Sequence, residues 1–535
     1  MSLLGNTLRF GSMTLISRVL GFARDIVLAR WFGATAATDA FFVAFKIPNF
    51  LRRLFAEGSF SLAFVPVLSE YRQRGDHAAL KSLIDATTGS LLAVLLLITG
   101  AGMLFAPWVI RLFAPGFIDQ PEQFALASDL LRITFPYLLF IALTALAGGI
   151  LNTLGRFALP ALTPALLNLS LIVAAVVFSQ RFGEPVKALA WGVLIAGMLQ
   201  LAVQLPALAR HGVLPRPRPS FRHPGVRRIM KLMLPTLFGS SVAQVSLLLD
   251  TLIASLLIAG SISWLYYADR LMEFPLGLFG VALSTVILPT LSGLHAGGRT
   301  RDFRATLEWA LLLGVVIGLP SAVGLAVLAE PLMVTLFQYG AFDQQAARMA
   351  AMALVAYCLG LPAFIAVKIL APAYFSRQDA RTPVRIAVTA LAVNMALNLL
   401  FVFLIVNHLA DGDFGHGLLA TLAAHPGAHV GLALASSASA WLNAILLWRN
   451  LRAPGLAPAL PLVQVTRVLL ACLGMALVLL WLLPATEVLQ GMGLWGRASW
   501  LLLGVGVGAL VYALVAAALG MRPAQLARPV NAERG

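Results

Sequence analysis

A group of eleven charged side chains lies on three stretches of the chain that are otherwise apolar enough to cross a membrane. Six are basic and five are acidic: Arg18, Arg24, Lys46, Arg52, Arg53 and Arg270, with Asp25, Asp39, Glu57, Asp269 and Glu273. A charge at mid-bilayer costs about 2.5–3.5 kcal/mol, so the whole set would cost on the order of 30 kcal/mol in contact with lipid. We therefore expect these side chains to line a polar cavity.

Arginine predominates in this set, and it indicates the chemistry of a ligand. Its planar guanidinium binds phosphate or carboxylate through two N–H groups, whereas lysine offers a point charge. Each of three arginines has an acid within helical reach: Arg24 with Asp25, Arg53 with Glu57, and Arg270 with Glu273. We predict that these pairs form in the empty site and that the arginines shift toward the phosphates of a multiply anionic ligand. The alternatives are that the pairs only hold the protein together, or that Arg53, Asp39 and Glu57 reach the membrane interface.

The composition indicates a polytopic membrane protein. Of 535 residues, 60% are hydrophobic and 11% charged, and the mean hydropathy is +0.89; a soluble protein of this size is far more polar. Apolar runs of about 20 residues or more predict fourteen transmembrane helices. Their expected positions are 7–30, 38–68, 84–113, 124–152, 159–180, 187–208, 229–258, 264–293, 306–333, 346–375, 384–406, 428–448, 462–484 and 495–520.

The distribution of Lys and Arg predicts the orientation of these helices. About 22 basic residues lie in the loops on one side and in the C-terminal tail, and about four lie opposite, which by the positive-inside rule places both termini in the cytoplasm. The four are Arg30, Arg181, Lys187 and Arg497. The net charge of +16 is then mostly a topology signal, and we expect no nucleic-acid partner.

An internal repeat predicts the domain organisation. Pro66–Ser69 (PVLS) recurs 223 residues later as Pro289–Ser292 (PTLS), and two further matches occur at nearly the same offset. The offset spans six helices, so the two copies keep the same orientation in the membrane. We predict an all-α membrane protein with an N-lobe (1–228) and a C-lobe (229–455), each of six helices, related by a parallel pseudo-twofold repeat. Two extra helices (456–520) and a cytoplasmic tail (521–535) follow.

Three runs around the charged residues carry a close family resemblance. They are Ser17–Asp25 (SRVLGFARD), Thr38–Gly58 (TDAFFVAFKIPNFLRRLFAEG) and Tyr266–Pro275 (YYADRLMEFP). These runs resemble the MurJ (MviN) lipid II flippases, and the resemblance extends through helix 14. It implies a member of the multidrug/oligosaccharidyl-lipid/polysaccharide exporter superfamily in the bacterial cytoplasmic membrane.

The resemblance also implies a substrate and roles for particular residues. Such a protein moves the undecaprenyl-pyrophosphate-linked peptidoglycan precursor, lipid II, from the cytoplasmic to the outer leaflet, with possible contacts to the cell-wall synthesis machinery. The arginines that match Arg18, Arg24, Arg52 and Arg270 line the central cavity and are needed for function. Helices 13 and 14 frame a lipid-facing groove for the polyprenyl tail. We expect a protein that functions as a monomer, without a catalytic cofactor.

A second polar group predicts a cation site. Asp250 lies inside helix 7, and Asn394 and Asn398 lie one turn apart on helix 11. A carboxylate and two amide oxygens are hard ligands that suit sodium as a coupling ion, and a sodium site occurs in some family members. The alternative is a hydrogen-bonded polar packing cluster.

Histidines gather in the outer loop between helices 11 and 12. His408, His416, His425 and His429 have spacings that match no metal motif, so a solvated loop is favoured over a metal site.

Rival functions fit the sequence less well. We find no nucleophile set, acidic metal pair or glycine-rich phosphate loop, so we expect no enzyme. The main alternative is a cation-coupled exporter of drugs or of other lipid-linked oligosaccharides in the same superfamily, because a fold does not determine its cargo. A drug exporter would be expected to have an acidic, aromatic-lined cavity.

Overall fold

The computed structural model describes residues 3–53, 60–413, 417–451 and 458–521, and all regular secondary structure in these residues is helical. The chain divides into two compact units. The first comprises Met1–Gly260 together with the short segment Tyr339–Phe342, and the second comprises Ser261–Gln338 and Asp343–Gly535.

The described part of the first unit contains ten α-helices. They are α1 Leu3–Phe32, α2 Ala36–Arg52, α3 Ser61–Gln73, α4 His77–Leu104, α5 Ala106–Phe113, α6 Pro121–Thr134, α7 Tyr137–Thr153, α8 Ala158–Val173, α9 Lys187–Arg210 and α10 Pro224–Ser255. Side-chain caps begin three of them. The hydroxyl of Thr35 accepts the Thr38 N–H at α2, the carboxylate of Asp76 accepts the Ala79 N–H at α4, and Nδ1 of His223 accepts the Gly225 N–H at α10. Helix α1 packs mainly against α8, and α2 packs mainly against α6.

Twelve further α-helices account for the described part of the second unit. They are α11 Ser261–Pro275, α12 Val281–Ala296, α13 Thr300–Val327, α14 Ala329–Leu336, α15 Gln344–Cys358, α16 Leu361–Phe375, α17 Arg381–Leu409, α18 Leu418–Ala424, α19 His429–Asn450, α20 Leu462–Leu482, α21 Thr486–Gly491 and α22 Leu494–Ala518. A π-helical turn, Leu276–Gly280, joins α11 to α12. It follows Pro275, so the eighth predicted helix is interrupted where the sequence is rich in helix breakers.

Helices occupy all fourteen intervals predicted to cross the membrane, with several intervals broken into two pieces. Among the described residues, ten helical segments are long and apolar enough to span a bilayer, and the pair α15 and α16, bent by 43°, makes an eleventh if it is one span. The all-helical membrane class is therefore confirmed, and the count of fourteen spans stays a prediction.

The compact units do not divide where the repeat predicts the lobe boundary. Helix α10, expected to open the C-lobe, packs against α3, α4 and α5, so the first unit continues to Gly260. Helices α20 and α22 pack on each other, on α13 and on α14 within the second unit. The division into repeat-related lobes stays a prediction.

Two prolines within helices leave carbonyl groups that distant hydroxyl groups satisfy. Pro48 in α2 has no N–H to donate to the carbonyl of Ala44, one turn earlier. The Thr134 hydroxyl on α6 lies 3.1 Å from this carbonyl oxygen. In the second unit, Pro320 leaves the carbonyl of Val316 without its helical donor, and the Tyr512 hydroxyl donates to it at 2.8 Å. In both helices the carbonyl group that the proline leaves without its helical donor is thus hydrogen-bonded in an apolar setting.

We expect Thr134→Val to lower the free energy of unfolding by about 1–3 kcal/mol, because the buried carbonyl of Ala44 loses its donor. The same change should cost much less in a Pro48→Ala background, where residue 48 regains an N–H. Thermal or denaturant unfolding of the four variants in detergent measures this coupling. An equal cost in both backgrounds would show that the Thr134 hydroxyl does not compensate for the N–H that Pro48 lacks.

Candidate functional site

Among the basic residues of the predicted cavity, Arg24 in α1 is the most buried, at 6% exposed. Its Nε and Nη2 both donate to Oδ1 of Asp25, at 3.0 and 2.6 Å, and its Nη1 donates to Oδ1 of Asn168 in α8 at 3.0 Å. The amide of Asn168 in turn donates to the carbonyl of Ser17 at 3.0 Å. A buried guanidinium is thus held by one carboxylate and one neutral amide.

Two charged residues of α2 are tied to the end of α10 and the turn after it. The Nζ of Lys46 donates to the Thr251 hydroxyl at 2.9 Å. Asp39, 2% exposed, accepts the backbone N–H of Gly260 through Oδ2 at 2.6 Å. Both contacts join α2 to residues about 200 positions later in the chain, so these charges also serve the packing of the first unit.

The remaining basic residues of the first unit lie in more open settings. Arg52 is half-buried and donates through Nε to Oδ1 of Asn49 at 2.9 Å. Arg53 is half-buried and Arg18 is exposed. Glu57, the predicted partner of Arg53, lies outside the described residues.

The charged group of the second unit lies on one helix, α11. Arg270 donates through Nη1 to Oε2 of Glu273 at 3.0 Å and through Nη2 to the Tyr266 hydroxyl at 3.3 Å. Its guanidinium carbon also lies 5.1 Å from the centre of the Tyr266 ring, in cation–π contact. Asp269 is half-buried on the same helix. This guanidinium is half-exposed, with side-chain exposure of 34%, and so is more accessible to a ligand than that of Arg24.

The predicted residues are therefore divided between the two units. The local ion pairs Arg24–Asp25 and Arg270–Glu273 are present. Their shared role in a single cavity stays a prediction. The same is true of the sodium site, because Asp250 belongs to the first unit and Asn394 and Asn398 belong to the second.

One member of the histidine-rich segment is not in a solvated loop. His429 is fully buried at the start of α19, where its Nε2 lies 2.9 Å from the carbonyl oxygen of Met349 and its ring lies 4.9 Å from that of Trp264. The solvated-loop interpretation is wrong for this residue, because His429 is the first residue of α19 and its ring packs against Trp264. His408 is exposed and His425 half-buried, and His416 lies outside the described residues. Among the residues that are described, no group of three or more His, Cys, Asp or Glu side chains could hold a metal ion.

An ion-pair cluster outside the apolar spans joins α3 to α10. Glu70 accepts from Arg74 and from Arg228, each at 2.5 Å. These hydrogen bonds lower the pKa of the Glu70 carboxyl. A lowered pKa means that the pairs persist at neutral pH and weaken only when acid protonates the carboxylate.

The sequence-based reasoning missed the uncharged partners of the charged residues. Asn168 and Thr251 contact Arg24 and Lys46 from helices far along the chain. A polar asparagine within an apolar span was the available signal for Asn168, because such residues usually bond across helices. Thr251 offered no comparable signal, since a threonine in a helix commonly bonds its own backbone, as Thr251 also does.

The comparisons of this chain with known proteins agree on one family. A family model described as lipid II flippase MurJ matches residues 28–497. A probable lipid II flippase MurJ of Haemophilus influenzae is 43% identical over 530 residues, covering 95% of this chain and 98% of that relative. One of Vibrio cholerae is 44% identical over 520 residues, covering 96% and 95%.

Solved structures agree with this result. A lipid II flippase MurJ in an inward closed conformation aligns with a TM-score of 0.77 at 27% identity, covering 95% of this chain and 98% of that one. An inward-facing multidrug MATE transporter of the MOP superfamily aligns with a TM-score of 0.62 at 14% identity over 83% of this chain and 97% of that one, which shows the shared fold alone. The chain is a multi-pass membrane protein that belongs to the MurJ family of lipid II flippases.

Proposed function

We propose that this protein moves lipid II across the bacterial cytoplasmic membrane, from the inner to the outer leaflet, for peptidoglycan synthesis. The observation that carries the proposal is the burial of Arg24 and the identity of its hydrogen-bond partners. Its guanidinium is buried in a transmembrane helix and is held by Asp25 and a neutral amide. A pyrophosphate offers oxygens that can replace such contacts bidentately, at a position where an unused charge would be costly.

The two ends of the substrate need different environments. The pyrophosphate and its sugar-peptide group need a cationic, hydrated path, which the arginines of α1, α2 and α11 would supply by alternating access between two lobes. The C55 tail would lose about 0.8 kcal/mol for each buried CH₂ group that entered water. The tail therefore stays in lipid, next to α20 and α22, while the headgroup crosses.

The proposal makes the protein a transporter and not an enzyme, since moving lipid II breaks no bond. It acts as a monomer with both termini in the cytoplasm, it needs no nucleic acid, and its partners are lipid II and the machinery that uses lipid II for cell-wall synthesis. The excess of Lys and Arg in the loops on one side supports this orientation.

The test is the sidedness of lipid II in bacteria depleted of their own flippase. Cells supplied with this protein should regain lipid II in the outer leaflet, and cells supplied with Arg24→Ala should not. Arg299→Ala is the matched control, because Arg299 is an exposed arginine paired with Asp302 on the surface. It should behave as wild type at equal expression.

Failure of the wild-type protein at equal expression would contradict the lipid II proposal and favour export of a different cargo. Equal rescue by Arg24→Ala would leave lipid II as the cargo and remove Arg24 from the site.

Sodium is the proposed coupling ion, bound by Asp250, Asn394 and Asn398. The donor set supports it, because carboxylate and amide oxygens suit a small hard cation. Replacing sodium by potassium should slow transport by the wild-type protein, and Asp250→Ala should be slow in both salts. Transport that is indifferent to sodium, or to Asp250→Ala, would remove sodium from the mechanism.

A further inference from the structure

One amide bridges two turns of α1 beside the buried arginine. Asn168 is 7% exposed on α8, its Oδ1 accepts from Arg24, and its Nδ2 donates to the carbonyl of Ser17. Ser17 and Arg24 are seven residues apart, so they lie on one face of α1 two turns from each other. Both ends of the amide are therefore used by a single neighbouring helix.

A glycine makes room for this amide. Gly21 lies between Ser17 and Arg24 on the same face of α1, and a Cβ added there would lie 3.3 Å from Nδ2 of Asn168. A Cβ at position 21 would require the amide to shift by a few tenths of an ångström from its present position between its two partners. Ser17, Gly21 and Arg24 together form a recess on α1 that accommodates the Asn168 side chain of α8.

The chemistry of the two acceptors of Arg24 differs. Nε and Nη2 bond a carboxylate, and Nη1 bonds a neutral amide. A guanidinium attracts the full charge of a carboxylate or phosphate more strongly than the partial charge of an amide oxygen, so a phosphate oxygen competes for Nη1 more easily against an amide than against a second carboxylate.

We propose that Asn168 is a positioning residue for Arg24, and that its neutrality is what allows the guanidinium to exchange this contact for a substrate phosphate. The inference rests on the proposed function, because it names the residue that prepares Arg24 for a lipid-linked pyrophosphate. A purely structural role would depend on the shape of the side chain and on its N–H bond to the Ser17 carbonyl, and aspartate keeps the shape but loses that donor.

The test compares Asn168→Asp and Asn168→Ala with wild type in the purified full chain. The probe is undecaprenyl pyrophosphate, with undecaprenol as the uncharged control. The dissociation constant should rise about threefold for Asn168→Ala and about tenfold for Asn168→Asp, because the added carboxylate binds Arg24 and repels the probe. Thermal stability should follow another order, with Asn168→Ala the least stable because it loses both contacts, whereas in Asn168→Asp the stronger contact with Arg24 offsets the lost hydrogen bond to Ser17.

Affinities that follow the order of thermal stability, or an Asn168→Asp protein that binds as wild type does, would overturn the proposal. Gly21→Ala supplies an independent variant and should weaken binding as Asn168→Ala does. The double variant Gly21→Ala/Asn168→Ala should bind no more weakly than Asn168→Ala alone, since no amide remains to be displaced. Additive losses would also overturn the proposal.

A second readout separates failure of this inference from failure of the proposed function. If the wild-type protein does not bind undecaprenyl pyrophosphate, the lipid II proposal is contradicted, and the positioning role is decided by chemical modification. A dicarbonyl reagent should modify Arg24 faster in Asn168→Ala and more slowly in Asn168→Asp than in wild type, as measured by mass spectrometry. Equal rates in the three proteins would overturn the positioning role.

Discussion

Replacing Arg497 with alanine should lower the unfolding free energy by about 3 kcal/mol or more, because hydrogen bonds to a charged group contribute about 1.5–3 kcal/mol each and several are lost together. Arg497 is 9% exposed and donates to five backbone carbonyls. These acceptors are the carbonyl oxygens of Val334, Gln338, Leu489, Gln490 and Met492, at 2.7–3.2 Å.

These carbonyls end two helices. Val334 and Gln338 lie at the C-terminal end of α14, and the other three acceptors lie at the end of α21. A helix leaves its last carbonyls without intrahelical donors and carries partial negative charge there, so one guanidinium satisfies both ends. Arg497 thereby fastens the connection between α20 and α22 to α14.

Thermal unfolding in detergent measures the effect, and we expect Tm to fall by about 3 °C or more in Arg497→Ala. Arg497→Lys should lie between wild type and alanine, because an ammonium cannot reach carbonyls on both helices at once. Arg467→Ala is the matched control on the same helix pair, since Arg467 is half-buried and donates to the single carbonyl of Gly520 at 3.3 Å. A loss for Arg467→Ala as large as that for Arg497→Ala would contradict the capping role.

Arg24→Lys should reduce lipid II transport by about tenfold to a hundredfold, the effect of losing roughly 1.5–3 kcal/mol of charge-assisted hydrogen bonding. Lysine keeps the charge but has one nitrogen, whereas Arg24 contacts Asp25 through two nitrogens and Asn168 through the third. An ammonium cannot keep this geometry and also bind a pyrophosphate through two donors.

The measurement is the sidedness assay, with expression and thermal stability recorded for each variant. Arg299→Lys is the control, because the same substitution on an exposed arginine should leave transport unchanged. Full activity of Arg24→Lys would show that positive charge alone suffices and would refute bidentate recognition at this position. Low activity with wild-type stability would support it.

Contacts between near neighbours on one helix could be predicted from the sequence. Arg270 and Glu273 are three residues apart on α11 and form the expected ion pair, since that spacing brings side chains together on any α-helix. Arg24 and Asp25 also form an ion pair. Adjacent side chains point in different directions around a helix, but the arginine side chain is long enough to reach the neighbouring carboxylate.

Contacts between distant helices could not be predicted in this way. Thr134 meets the carbonyl that Pro48 leaves in α2, and Arg497 caps α14, because helix rotation and depth bring these residues together. His429 was predicted to be exposed because of its polar neighbours along the chain. In the structure it is buried, because its ring packs against that of Trp264.

Hydropathy and residue type by themselves determined that this is a helical membrane protein with costly charges concentrated on three of its predicted spans. Those properties follow from the bilayer, which sets the length of each apolar run and the cost of each charge. Only the tertiary structure decided which uncharged groups hold the charges: Asn168 for Arg24, Thr251 for Lys46 and the Gly260 N–H for Asp39. These partners lie 144 to 221 residues away, and the packing of one helix face on another selects them.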